Sequence, residues 1–235
     1  MNKISLSAAT IGLSLVATSN VLAAYTDVNP NPDEGTPAEI FSVLYGQPFT
    51  STGLDFTGTT LTARRVSDEQ DQLWTGDFAV RVAARFSGYT QTIGSLSRGK
   101  YQDLLTAEGL RFDQSANEST VSLDQGVWVR TGDSGTHSSA TEFNEDDRDH
   151  MITYKMEGNG ASPVWVMFWE DIDIDDTITK GRSKSDFNDL VVVVRSAELD
   201  GGTPIAVPLP PALGVGLATL GLCGWFIRKR NASRL

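Results

Sequence analysis

Leu190-Val191-Val192-Val193-Val194-Arg195 places four consecutive valines directly after an acidic, turn-forming stretch. β-Branched side chains are stiff at χ1 and suit a pleated, partly buried surface, so the run predicts a central β-strand. Short apolar or alternating segments recur upstream, at Leu61–Val66, Phe78–Phe86, Leu110–Phe112, Val127–Arg130, Met151–Met156 and Val164–Trp169. Clusters of Gly, Ser, Asp and Asn separate them. Many strands broken by turn signals predict an all-β chain, a single antiparallel β-sandwich of jelly-roll kind over residues 40–200. The one helix candidate lies around Lys100–Glu108. Residues 24–39 are rich in Asn, Pro, Asp and Gly, lack periodicity, and read as an irregular arm.

The valine strand is entered through Ser185-Asp186-Phe187-Asn188-Asp189, and the strand Val164–Trp169 ends on Glu170-Asp171. If the two strands are neighbours, carboxylates and an amide oxygen converge on one loop. Calcium takes six to eight oxygen ligands, and Asp171, Asp186, Asn188 and Asp189 are the expected ones. The competing reading is turn chemistry, in which Asp and Asn bond nearby backbone N–H groups without a metal. The loop between is not an EF-hand. Asp171, Asp173 and Asp175 fit positions one, three and five, but Asp176 replaces the glycine and Arg182 the closing glutamate. Asp173, Asp175 and Asp176 read as solvated residues of a strand extension, with Ile172 and Ile174 inward.

A second acidic segment, Glu142 to His150, precedes the strand Met151–Met156. It reads as a solvated turn. A metal reading would add Asp147 or Asp149 to the first site and make His150 a ligand or base, whereas a lone His beside a strand more often satisfies a local hydrogen bond. His137, in a Gly/Ser/Thr loop, has no partner visible in sequence. Glu170 with Asp186 or Asp189 has the residue types of a glycosidase pair, and Trp128, Trp165 or Trp169 could stack on a sugar. The same tryptophans suit a core. No Gly-x-Ser-x-Gly, His-Glu-x-x-His or P-loop element is present, and the expectation is a chain without catalytic residues.

The two ends read as addresses. Lys3, the apolar Ile11–Val16 and Val21-Leu22-Ala23 make residues 1–23 a secretory signal peptide. Gly201–Pro211 is a Gly/Pro linker. Ala212–Ile227 is an apolar membrane-segment candidate, and residues 228–235 form a basic tail that keeps the C-terminus cytoplasmic. All 30 acidic residues lie within 24–206, whereas Lys3, Arg228, Lys229, Arg230 and Arg234 lie outside it. That leaves 14 basic residues and a net charge of −16. Such a surface argues against nucleic acid or an anionic membrane as partner and suits calcium, or a cationic or neutral surface. The only cysteine, Cys223, is in the apolar tail. The body therefore has no disulfide despite an export route that permits them.

Val207-Pro208-Leu209-Pro210, with one extra proline before Ala212 and the apolar and basic segments after it, resembles the VPLPA variant of the PEP-CTERM sorting signal. That resemblance implies cleavage by an exosortase, a membrane-embedded cysteine protease, after passage through the inner membrane. A second resemblance rests on Phe86-Ser87-Gly88-Tyr89 with Ile93-Gly94, Asp149-His150-Met151-Ile152-Thr153-Tyr154, Trp169-Glu170-Asp171 and Ser185-Asp186-Phe187-Asn188-Asp189-Leu190-Val191-Val192. In that order they are similar to a β-rich domain of unknown function common in exported bacterial surface proteins. The loop carrying Lys180, Gly181, Arg182 and Lys184 departs from that family's shorter Gly-rich stretch. Together they imply export and a binding or structural role. With the oxygen-rich loop and the absence of a catalytic motif, the expectation is an exported, non-enzymatic surface or extracellular-matrix protein, associated with biofilm or exopolysaccharide and stabilised by calcium. A carbohydrate-binding module is the alternative, and a glycoside hydrolase a more distant one.

Overall fold

The computed structural model describes residues 23–28, 34–109, 112, 117–158, 163–171 and 186–196. Helix α1 (Pro37–Tyr45) comes first. It is followed by β1 (Thr50–Thr52), β2 (Asp55–Thr57), β3 (Thr62–Arg65), β4 (Trp74–Arg85), β5 (Gln91–Ser97) and β6 (Lys100–Ala107). Then come β7 (Ser119–Gly132), β8 (Gly135–Ser138), β9 (Met151–Glu157), β10 (Val164–Trp169) and β11 (Leu190–Ser196). All pairings among these strands are antiparallel, in the order β1-β2-β3-β9-β10-β11-β4-β7-β5-β6, with β8 beside β7. The fold is all-β and sandwich-like, as the turn-punctuated strands predict.

The sandwich is closed by one bent strand. The first half of β7 pairs with β4, from Ser119↔Val80 to Gly126↔Trp74. Its second half pairs with β5, from Val127↔Leu96 to Gly132↔Gln91. Gln125 sits at the bend with φ 48°, a left-handed conformation that redirects the strand, as strands that switch sheets do at bends or bulges.

The valine strand is central, between β10 and β4, and buried on both faces. Val191 and Val193 join Ile152, Tyr154, Val166 and Phe168 in a core beneath α1. Leu190, Val192 and Val194 join Met167, Trp169, Trp74 and Trp128 in the core facing the second layer. A strand covered on both faces needs an unbroken apolar run rather than an alternating one. That is why this segment is four valines.

Two readings are corrected. Lys100–Glu108 is not helical: Lys100–Ala107 is β6, the outermost strand beside β5. Most of its residues are exposed or half-buried, so it lacks the alternating apolar pattern by which a strand is recognised. The supposedly irregular arm ends in a helix. Thr36 accepts a hydrogen bond from Glu39 N–H while Glu39 accepts one from Thr36 N–H; Pro37 opens the first turn and Gly46 (φ 64°) closes the last. A capping box, Pro at the first position and a left-handed Gly after the end are all sequence-level helix signals. Ile40, Phe41 and Leu44 then pack on the sheet. Thr36→Ala should cost about 1 kcal/mol, the usual value of such a cap, read as a lower urea midpoint with unchanged m-value. No change at all would mean that tertiary packing alone holds the helix.

Among the described residues no helix is long and apolar enough to cross a membrane. Residues 1–22, the linker, Ala212–Ile227 and the basic tail lie outside the described residues. So do Asp173, Asp175, Asp176, Lys180, Gly181, Arg182 and Lys184.

Candidate metal centre

Strand register brings the acidic residues together. Trp169 faces Leu190 across β10 and β11, so the next residues outward, Glu170 and Asp189, meet beyond the end of the ladder. On one side Glu170 N–H donates to the His150 carbonyl, 3.0 Å. On the other the Asp189 carbonyl accepts from Phe86 N–H, 3.2 Å. The site therefore rests on β9, β10, β11 and β4 together. Carboxylate oxygens of Glu170, Asp186 and Asp189 all lie within 4.8 Å of one another. All three residues are buried, as are Asp171 and Asn188.

Phe187 shapes the loop. Its ring is fully buried in the core beneath α1, while its backbone is left-handed, φ 53°. A bulky residue there is uncommon and strained. The turn aims the Phe187 N–H at the Glu170 carboxylate and the Asn188 N–H at Asp186. Asn188 Nδ2 donates to the Gly35 carbonyl, 3.0 Å, which ties the loop to the segment before α1. The Glu34 carboxyl, in that segment, lies close enough to Asp186 to bear on its charge. Gly35 has no room for a side chain, because a Cβ there would lie 2.9 Å from the Phe86 ring.

The expected ligands divide into two groups. Asp186 and Asp189 converge as expected, and Glu170 converges with them. Asn188 precedes Asp189 in the chain, and its Oδ1 is buried without a hydrogen-bond partner among the described residues, as is Glu170 Oε2. Asp171 is occupied elsewhere. Its Oδ2 accepts from the Ser87 hydroxyl and from Gln91 Nε2 (2.6 Å), and its N–H donates to Asp189 Oδ2, 2.8 Å. Arg130 reaches across the sandwich from β7, donating to the Asp171 carbonyl at 2.9 Å, to Ser134 Oγ and to the Gly135 carbonyl. Sequence reasoning missed Glu34, Arg130 and Gln91. Arg130 left a trace: an arginine in the apolar run Val127-Trp128-Val129 must find buried partners.

The electrostatics are those of a site short of positive charge. Burial, then the Asp186 and Asp171 charges, push Glu170 up to about 7. Burial, then the nearby Glu34 carboxyl and the charge of Asp189, push Asp186 up to about 8. Burial, then Glu170 and Asp171, hold Asp189 well above the usual carboxylate range. Such a cluster must take up protons or a cation. Two or three buried carboxylates with a neutral amide oxygen form a hard-oxygen donor set of the kind calcium takes.

The second acidic segment does not join this site. Asp147 is exposed. Asp149 Oδ1 caps the Met151 N–H, 3.0 Å. Asn144 holds the turn through Ser138 and the Arg148 carbonyl. His150 Nε2 lies 3.1 Å from Asp146, the local hydrogen bond expected of it. His137, without a visible partner in sequence, stacks on His150 with centroids 3.7 Å apart. Burial, then the charges of His150 and Arg130, drive it down to about 3. Trp128 and Trp169 are fully buried, and Trp165 packs edge-on against Trp74 and Phe78, so these tryptophans are core residues. Neither a family model nor a curated protein matches the chain.

Proposed function

We propose that the chain is an exported, non-enzymatic surface or extracellular-matrix protein whose β-domain is stabilised by calcium at Glu170, Asp186, Asn188 and Asp189. One observation carries the calcium reading: three buried carboxylates within 4.8 Å of one another, with Glu170 Oε2 among them buried and unpartnered. The residues that form it begin and end central strands, so an ion there ties four strands to one loop. A glycosidase pair must straddle a sugar, with its carboxyls about 5–9.5 Å apart. Closer spacing and burial favour a shared proton or ion over sugar chemistry. The export reading rests on the terminal sequence signals. Its partners would be an exosortase-type protease and extracellular polysaccharide, with passage through the inner membrane by residues 212–227. The net charge of −16 over residues 24–206 argues against nucleic acid.

Two measurements test this. Intact mass of the protein from envelope and medium should show a start near Ala24 and loss of Ala212–Ile227; a retained tail would leave a plain membrane anchor. Melting temperature should rise by a few degrees in millimolar Ca²⁺ and less in equal Mg²⁺, which dehydrates reluctantly. A ligand specific to the folded state adds about 2.7 kcal/mol at a hundredfold excess over Kd. Extracellular calcium modules bind at about 10⁻⁴–10⁻³ M, so only part of that is expected. Asp186→Asn with Asp189→Asn should remove this site's share of the response. A response equal to wild type in that variant overturns the reading.

A further inference from the structure

A second group of buried oxygens lies on the other side of β9, near the connection from β3 to β4. Asp71 is 1% exposed, and neither of its carboxylate oxygens has a hydrogen-bond partner among the described residues. Asp149 Oδ2 and Thr153 Oγ1 are buried and unpartnered in the same sense, although the Thr26 hydroxyl, engaged with Asp68, lies close to Asp149; Thr153 is wholly buried. These side chains are neighbours. The Asp149 and Asp68 charges both bear on Asp71, and the Thr153 hydroxyl lies close to Asp71 without the geometry of an ordinary hydrogen bond. Buried polar atoms in native proteins are nearly always partnered. Four such oxygens on neighbouring side chains, one of them a neutral hydroxyl, are donors that a single bound cation would satisfy.

The surrounding side chains already have hydrogen-bond partners. Arg65 donates to Asp68 Oδ1 at 2.8 Å, and the Thr26 hydroxyl donates to Asp68 Oδ2, also at 2.8 Å. Asp68 N–H is held by the Ala24 carbonyl. Trp74 Nε1 donates to the Asp71 carbonyl at 2.6 Å, and Asp149 Oδ1 is fixed by the Met151 N–H. Thr153 projects from β9, whose carbonyl there accepts from Val66 N–H. Arg65 brings one positive charge to the three carboxylates of Asp68, Asp71 and Asp149. Burial, with the Asp149 charge next, holds Asp71 well above the usual carboxylate range, and burial pushes Asp149 up to about 7. One divalent cation would offset the remaining charge.

We infer that Asp71, Asp149 and Thr153 form a second binding site for a hard divalent cation of the calcium class, separate from the Glu170–Asp186–Asp189 centre. The donors are all hard oxygens, which excludes a preference for soft metals. The two sites would brace β9 from opposite directions, one through the His150 carbonyl and Glu170 N–H, the other through Thr153.

The test counts bound ⁴⁵Ca²⁺ by equilibrium dialysis on the full chain in detergent. The chain carrying Asp186→Asn and Asp189→Asn should still bind one Ca²⁺, and adding Asp71→Asn should abolish it. No Ca²⁺ bound by the double variant overturns the inference. So does binding that survives Asp71→Asn. Wild type binding one ion and the double variant also binding one would remove the first site and leave this one standing. Should Asp71→Asn not fold, Thr153→Val in the double variant decides. It keeps charge and shape, and it removes a buried hydroxyl that lacks a partner when no ion is bound. In chelator its melting temperature should therefore hold or rise. Its affinity for the retained ion should fall about tenfold or more, the loss that follows removal of even a supporting group at metal sites. Unchanged affinity in Thr153→Val overturns the site.

Discussion

In chelator, the protein should be less stable at pH about 8.5 than at pH 6.5, and millimolar calcium should remove most of that difference. Glu170 titrates at about 7 and Asp186 at about 8 in the folded protein, with Asp189 higher than the usual range. Unfolded, such groups titrate near 4. An acid whose folded pKa is raised contributes stability that is complete below its unfolded pKa and is lost as pH rises through the folded value. Asp149 and Asp71 act in the same direction. His137 acts oppositely: held down at about 3, it costs stability as pH falls below 6.5. Above pH 6.5 the residual His137 effect is at most about 0.4 kcal/mol and opposes the carboxyls, so a net loss of stability there is theirs. Asp171, Glu34 and the Arg130 guanidinium face the cluster and set its balance. A loss of a few kcal/mol, at about 2–4 °C each for a domain of this size, lowers the melting temperature by on the order of 5–10 °C. Calcium takes the place of the protons, so its stabilisation should be larger at the higher pH. A melting temperature that is flat, or that rises with pH in chelator, would show that these carboxyls are paired by something other than protons or metal.

The strands that build the site were the legible ones. Val164–Trp169 and the valine run are dense, apolar and buried on both faces, and Met151–Met156 lies within a residue of β9. Their ladder alone brings Glu170 opposite Asp189, so the site's location follows from neighbouring strands. Its internal division did not follow. Glu170 and Asp171 are adjacent, and alternation aims them apart: one into the acidic cluster, the other at Ser87 and Gln91. Sequence cannot say which without the sheet's facing direction. The strand β5 was invisible because Gln91-Thr92-Ile93-Gly94-Ser95 is polar, although Gln91 and Ser95 are buried. Gly94 is there because a Cβ would come 2.7 Å from the Gln102 carbonyl on β6. The helix was legible in principle through its capping box and was obscured by the Pro- and Asn-rich residues before it.

The largest effect of a single substitution is expected at Phe187, because one residue serves both fold and site. Its ring fills the core beneath α1 among Phe168, Val191 and Ile40, and its left-handed backbone presents N–H groups to Glu170 and Asp186. Phe187→Ala removes a fully buried aromatic and leaves a cavity, a change that costs about 3–5 kcal/mol. It also frees the turn that spaces Asp186 from Asp189, so calcium affinity should weaken although no ligand is touched. Phe187→Gly separates the two contributions. It loses the same ring but accepts positive φ freely, where an L-residue is strained by about 1–2 kcal/mol. The glycine variant should therefore be at least as stable as the alanine variant, the reverse of the usual order in strands and helices. Urea unfolding with and without calcium reads both. A cost below about 1 kcal/mol for Phe187→Ala would mean the ring is not a core anchor. Alanine outlasting glycine would mean that the left-handed turn does not persist in solution, and the acidic cluster would lose the geometry that makes it a metal site.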